Sequence, residues 1–140
     1  MRLLEQAVQE NEVAYPAIDT QRLLSWIVST KRDGEILVAD VGNGRIVGVL
    51  GLLAQEYKWS SEKFIQNEFA FVLPAFRPRG TFDALMQASY RFADEKGLRI
   101  IFGFSGGRDS KVKDRMMQMK GWIYCGGMFT RLAQHSSQTG

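Results

Sequence analysis

The sequence predicts a mixed α/β fold, a sheet with antiparallel and parallel strands covered by helices, and three stretches carry that prediction. Residues 35–41 (EILVADV) and 45–54 (RIVGVLGLLA) are β-rich runs joined across Gly42-Asn43-Gly44. That connection reads as an antiparallel hairpin, because glycine and asparagine tolerate the positive φ angles a tight turn needs. Residues 65–73 form an apolar, aromatic run that Pro74 stops, and an amphipathic segment follows over 81–96. Residues 98–104 (LRIIFGF) are β-rich again. Strand, helix, strand in that order implies a right-handed crossover, which sets the two strands parallel.

The remaining elements follow in order. Residues 3–12 predict a first helix, broken near Pro16. Asp19 or Thr20 caps a second helix through about Ser29, with Leu23, Leu24, Ile27 and Val28 on one face. Both helices are expected to cover the sheet, with Trp26 as a packing residue. Residues 55–63 (QEYKWSSEK) read as a polar loop whose Tyr57 and Trp59 either line an entrance or close the core. In the 81–96 helix, Leu85, Met86, Ser89, Phe92 and Ala93 recur from Phe82 at helical spacing, and Gly97 stands where a C-terminal glycine belongs. Asp109 or Ser110 caps a last helix to about Met119, on which Met116, Met117 and Met119 read as gap-filling core residues. Residues 121–132 predict a final strand or bent hairpin, irregular at Gly126-Gly127, and the tail from Ala133 is polar. The organisation expected is one domain over residues 1–132 and a flexible tail over 133–140.

Composition narrows the function classes. The chain has 140 residues, 45% hydrophobic and 24% charged, which suits one soluble globular domain. No run approaches the roughly 18 apolar residues of a membrane span, and the first residues lack the apolar core of a signal peptide. The single Cys125 excludes an internal disulfide and a cysteine metal cage, and the single His135 excludes a histidine zinc site. A cytoplasmic location and no metal are the expectation. Residues 1–75 carry seven basic and ten acidic side chains, whereas residues 76–120 carry ten basic and five acidic. The positive surplus therefore gathers in the second half, which favours a polyanionic ligand such as a nucleotide. The dense basic and aromatic stripe of a nucleic-acid surface is lacking.

That surplus falls on one device. The run ending at Leu73 is followed by Arg77-Pro78-Arg79-Gly80 and then by the helix from Thr81. A glycine turn offers backbone N–H groups, the helix N-terminus adds a positive dipole, and two arginines add full charges. Strand, basic turn and helix together can hold an anion.

These residues resemble the GNAT (Gcn5-related N-acetyltransferase) superfamily, in particular its small phage-encoded and bacterial members. The family pattern around this strand stands here as Glu68, Val72, Pro74, Phe76, Arg77, Pro78, Arg79, Gly80, Thr81 and Phe82. Gly121-Trp122 resembles the closing glycine-aromatic pair, and IVGVLGLL at 46–53 resembles a family strand. The match spans roughly residues 35–132. It implies a mostly antiparallel mixed sheet with a V-shaped splay between its central parallel strands, and acetyl-CoA as co-substrate in the gap. It also implies that backbone groups of Val72 and Leu73 pair with the pantetheine arm and acetyl carbonyl. The N–H groups of Arg77, Pro78's neighbours Arg79 and Gly80, Thr81 and Phe82 would then wrap the pyrophosphate.

The reaction implied is direct attack of a primary amine on the thioester within a ternary complex. A lysine-like amine titrates near about 10.4, so a base is needed. Glu68 is the candidate, placed on the face of Val72 by even spacing along a strand; Glu62 and Glu56 are weaker substitutes. Three positions depart from the family. Phe82 replaces a small residue in the turn. Met117 stands where a thiolate-protonating tyrosine is common, leaving Tyr124 or water as candidate acid. Asp109 and Ser110 occupy the region of a frequent asparagine, with Ser110 a candidate cofactor contact. The alternative to an active enzyme is a catalytically degenerate GNAT-fold binding module. A homodimer paired through the strand from Gly121 is the oligomer such a fold suggests.

Overall fold

In the computed structural model, which describes residues 2–9, 18–103, 110–125 and 131, the chain divides into two compact units, Met1–Arg108 and Asp109–Gly140. The first opens with α1 (Arg2–Gln9) and α2 (Thr20–Asp33). The start of α2 is the one expected from sequence. The Asp19 carboxylate accepts from the amides of Gln21 and Arg22 at 3.1 and 3.2 Å, satisfying two donors that the helix leaves open. The end of α2 runs past Ser29 into the sheet, and Glu35, just beyond it, accepts from Lys31 Nζ and from the Ile36 amide.

The sheet of the first unit holds β1 (Gly34–Asp40), β2 (Ile46–Glu56), β3 (Lys63–Val72) and β4 (Ile100–Ile101), in that spatial order. β1, β2 and β3 pair antiparallel, and β3 pairs parallel with β4. The mixed sheet and the parallel crossover are as the sequence implied. The polar loop is shorter than expected, because β2 runs to Glu56 and β3 begins at Lys63. Tyr57 packs its ring on Phe64 at 4.6 Å, closing the core, while Trp59 is 83% exposed. The predicted strand over 98–104 shrinks to Ile100–Ile101, with Phe104 outside the described residues.

One face of the sheet buries Leu4, Leu23, Val49, Phe69 and Phe71, with Trp26, Ile27 and Ile36 packed against them. α1 and α2 cover this face. On the other face lies α3 (Thr81–Lys96), which buries Leu85, Met86, Ser89 and Ala93. Each large apolar side chain so buried contributes about 1.5–3 kcal/mol relative to exposure, enough to hold the helix start at a fixed place beside the end of β3. Gly97, at φ 65°, closes α3 by donating to the carbonyls of Ala93 and Asp94.

The second unit contains α4 (Ser110–Met119), ended by hydrogen bonds that the backbone N–H groups of Lys120 and Trp122 donate to the carbonyls of Met116 and Met117. Residues 121–125 form no strand, so the expected final strand is not found there; residues 126–130 lie outside the described residues. Among the described residues no strand pairs with this segment, and β-propensity alone does not make a strand. Met117 is buried, but Met119 is 82% exposed and fills no core gap. Two residues along a helix turn the side chain to nearly the opposite side.

Candidate functional site

β3 pairs with β4 through only two residue pairs, Ile65 with Ile100 and Gln66 with Ile101, and the Ile65 amide donates to Arg99 O at 2.9 Å. Beyond Gln66 the parallel ladder stops, although β3 continues to Val72. The cause is visible one residue further on. Asn67 Nδ2 donates to Gly103 O at 2.9 Å, and the Gly103 amide donates to Asn67 Oδ1 at 2.8 Å. A side-chain amide thus takes the place that a neighbouring backbone would occupy, and the two strands are held one side chain apart. Among the described residues β3 has no further ladder partner on this edge, which leaves an opening along it. Asn67→Ala removes both bonds and is expected to lower stability by roughly 1–2 kcal/mol, read as a lower denaturant midpoint at unchanged slope.

A bulge sits at the same level. On the other edge of β3, Leu52 pairs with Asn67 but Gly51 pairs with Phe69, so Glu68 is the extra residue. The bulge reverses the alternation of side chains beyond it. Val72 lies on the α3 face, where its Cγ2, Leu85 Cδ1 and the Thr81 methyl crowd the space above Gly48. Glu68 turns to the opposite face, toward α2. The expectation that even spacing puts Glu68 and Val72 on one face is corrected by that extra residue.

On its face, Glu68 is half-buried and well held. Trp26 Nε1 donates to Oε2 at 2.9 Å and Gln55 Nε2 donates to Oε1 at 3.3 Å. Trp26 in turn meets Phe69 edge-to-face, with centroids 5.0 Å apart. Trp26 is therefore more than a packing residue, since its indole fixes one carboxylate oxygen. Beside this group, a cavity of about 320 Å³ is walled by Leu3, Leu4, Ile27, Ile36, Val49 and Phe69, among others. Its lining is apolar apart from Arg2, and it holds no carboxylate, histidine or other base.

At the far end of β3 the Leu73 amide donates to Val47 O at 2.8 Å. The Val72 carbonyl, on the same peptide plane, must face the other way, into the opening, and there Arg77 Nε donates to it at 2.8 Å. The Arg77 guanidinium also lies 5.1 Å from the Phe71 ring centroid. Its side chain thus returns to the strand end. Leu73 O accepts from Phe76 N at 2.9 Å, so both backbone groups of Leu73 are engaged within the protein; Val72 presents its N–H to the opening.

The basic turn is more ordered than a loop. Pro74–Arg79 form a 3-10 helix, begun rather than stopped by Pro74, and Gly80 follows at φ 76° and ψ 12°. This left-handed backbone favours glycine. A Cβ at Gly80 would meet nothing within 4 Å, so the space before the turn is open. No side chain caps the N-terminus of α3, which begins at Thr81. The fit to an anion is good: an open approach, a helix N-terminus and the exposed Arg79. The Phe82 ring stands edge-on to Phe102, with centroids 6.1 Å apart at 85°, half-buried on the β4 side.

The remaining predicted residues are placed as follows. Tyr124 is 57% exposed in the second unit, Ser110 begins α4, and Asp109 lies outside the described residues. Glu56 and Glu62 are exposed at the ends of β2 and β3. Sequence reasoning missed Asn67, Gln55 and Arg45. An asparagine inside an apolar strand run was the available signal for the first. Among the described residues no group of three His, Cys, Asp or Glu side chains could hold a metal, and no helix is long and apolar enough to cross a membrane.

No protein-family model and no curated protein matches the chain. Solved structures do. AAC(6')-Iy in complex with the bisubstrate analogue CoA-S-monomethyl-acetylneamine matches at TM-score 0.65 and 18% identity, over 86% of this chain and 84% of that one. An aminoglycoside acetyltransferase from an uncultured soil metagenomic sample, in complex with sisomicin, matches at 0.63 and 17%, over 95% and 85%. A Trypanosoma brucei acetyltransferase matches at 0.62 and 21%, over 95% and 89%. With its mixed four-stranded sheet, flanking helices and opened central strands, the chain has the fold of the GNAT acetyltransferases.

Proposed function

We propose that the protein is an acetyl-CoA-dependent N-acetyltransferase that acts on a primary amine. One observation carries the reading: among the described residues β3 loses its β4 partner after Gln66, which leaves an opening along its edge that starts at the level of the Glu68 bulge and ends at the Gly80 turn. A long, thin, polyanionic thioester is the kind of ligand that such an opening suits. The structural neighbours solved with a CoA-containing bisubstrate analogue and with sisomicin support an amine acceptor.

Acetyl-CoA, as co-substrate, supplies a thioester whose acyl carbon gains a C–N bond as its C–S bond breaks. The Val72 N–H would align the acyl arm along the edge of β3. The open backbone donors of the first turn of α3, at Thr81 and Phe82, with Arg79 beside them, would hold the pyrophosphate. Glu68 takes the proton of the incoming amine. Its two oxygens are fixed by Trp26 and Gln55, so the carboxylate is oriented before the acceptor arrives. Water returns a proton to the thiolate, and the amine leaves as an amide. A cytoplasmic location and a homodimer belong to the same reading.

The test is calorimetric titration with acetyl-CoA and with CoA, followed by a screen of amine acceptors. Micromolar binding and acetylation of a primary amine are the expected result. Absence of binding at millimolar concentration would overturn the reading and leave the fold as a binding module.

A further inference from the structure

We infer a second anion seat, made by Arg45, Phe76 and Arg79, that takes a phosphomonoester dianion: the 3′-phosphate at the nucleotide end of CoA. The inference rests on the acyl-CoA reading above. Both guanidinium groups lie over one ring, Arg45 at 5.5 Å and Arg79 at 5.3 Å from the Phe76 centroid. Neither has a carboxylate partner among the described residues, whereas the exposed Arg22 and Arg32 pair with Asp19 and Asp33. Both cations stand beside the same ring, and a dianion at the edge of that ring can accept a charge-assisted contact from each.

Arg45 is brought there by the fold. It closes the hairpin, donating its amide to Gly42 O at 3.1 Å and accepting from Val41 N at 3.0 Å. Two residues on, Val47 O takes the amide of Leu73 at the end of β3, which sets the hairpin beside the 3-10 helix that carries Phe76 and Arg79. The ring fixes the arginines by cation–π attraction before any ligand arrives. Arg79 ends one residue before Gly80, so the seat adjoins the proposed pyrophosphate turn. A phosphomonoester has a second pKa of about 6 and is mostly dianionic at neutral pH; a pair of guanidinium groups matches that charge.

The experiment titrates the full chain with CoA, 3′-dephospho-CoA and inorganic phosphate, as the parent and as Arg45→Gln, with melting midpoints recorded. The expected result is about tenfold tighter binding of CoA than of 3′-dephospho-CoA by the parent. Arg45→Gln should lose that preference, bind 3′-dephospho-CoA as the parent does, and melt at the same midpoint. Equal affinity of the parent for the two nucleotides overturns the inference and leaves the transferase reading standing. Equal weakening of both by Arg45→Gln also overturns it. Binding of inorganic phosphate through Arg45 without discrimination between the nucleotides would assign the seat to free phosphate instead. Failure of both nucleotides to bind at millimolar concentration overturns the acyl-CoA reading and this inference with it.

Discussion

Gly80→Asp should weaken acetyl-CoA binding about a hundredfold or more and leave the protein folded. The backbone at Gly80 has φ 76° and ψ 12°, a region that aspartate enters at a cost of about 1 kcal/mol. The new Cβ meets nothing within 4 Å, so no packing is disturbed, and the melting midpoint should fall by only about 3–5 °C. The effect on an anion is far larger. A carboxylate some 5 Å from one phosphate charge costs roughly 3 kcal/mol at an effective dielectric of 20, or about a hundredfold or more in affinity. Gly80→Asn carries the same backbone cost without the charge, and should weaken binding by less than tenfold. Calorimetric affinities for both variants separate the two causes. An unchanged affinity in Gly80→Asp would remove the turn from the binding site.

Glu68→Gln should lower turnover about a hundredfold at neutral pH while acetyl-CoA affinity stays within about twofold. Glutamine keeps an oxygen for Trp26 and fills the same volume, so the fold and the opening persist. What it loses is proton-accepting capacity. An amine with a pKa near 10.4 is mostly protonated at neutral pH. As pH rises the neutral fraction grows and the variant's deficit should shrink, so the ratio of parent to variant rates falls from pH 7 to pH 10. A full-rate Glu68→Gln enzyme would move the base elsewhere.

Much of the fold was legible because the relevant forces act between residues close in sequence. The Asp19 cap, the Gly42-Asn43-Gly44 turn, the periodicity of residues 81–96 and the left-handed Gly80 each depend on a few neighbours. The basic turn was legible for the same reason, since its charges and its glycine are adjacent. Its extension into a 3-10 helix from Pro74 was not, because proline serves equally to stop a strand and to start a helical turn.

The errors lie where a distant partner decides. The strand expected from residue 121 finds none over 121–125, and the one expected over 98–104 pairs for only two residues. Glu68 and Val72 share a face by counting but not in space, because pairing with β2 leaves Glu68 as an extra residue. Trp26 and Glu68 are 42 positions apart, and Asn67 and Gly103 are 36 apart, so neither bond leaves a local pattern. The sequence by itself determined most of the elements, their order, the parallel crossover and the place of the basic turn, all set by local backbone preference and the spacing of apolar residues. Only the tertiary structure decided where the sheet opens, which face carries the carboxylate and how Arg45 reaches Phe76, because strand register and the bulge arise from pairing between segments far apart in the chain.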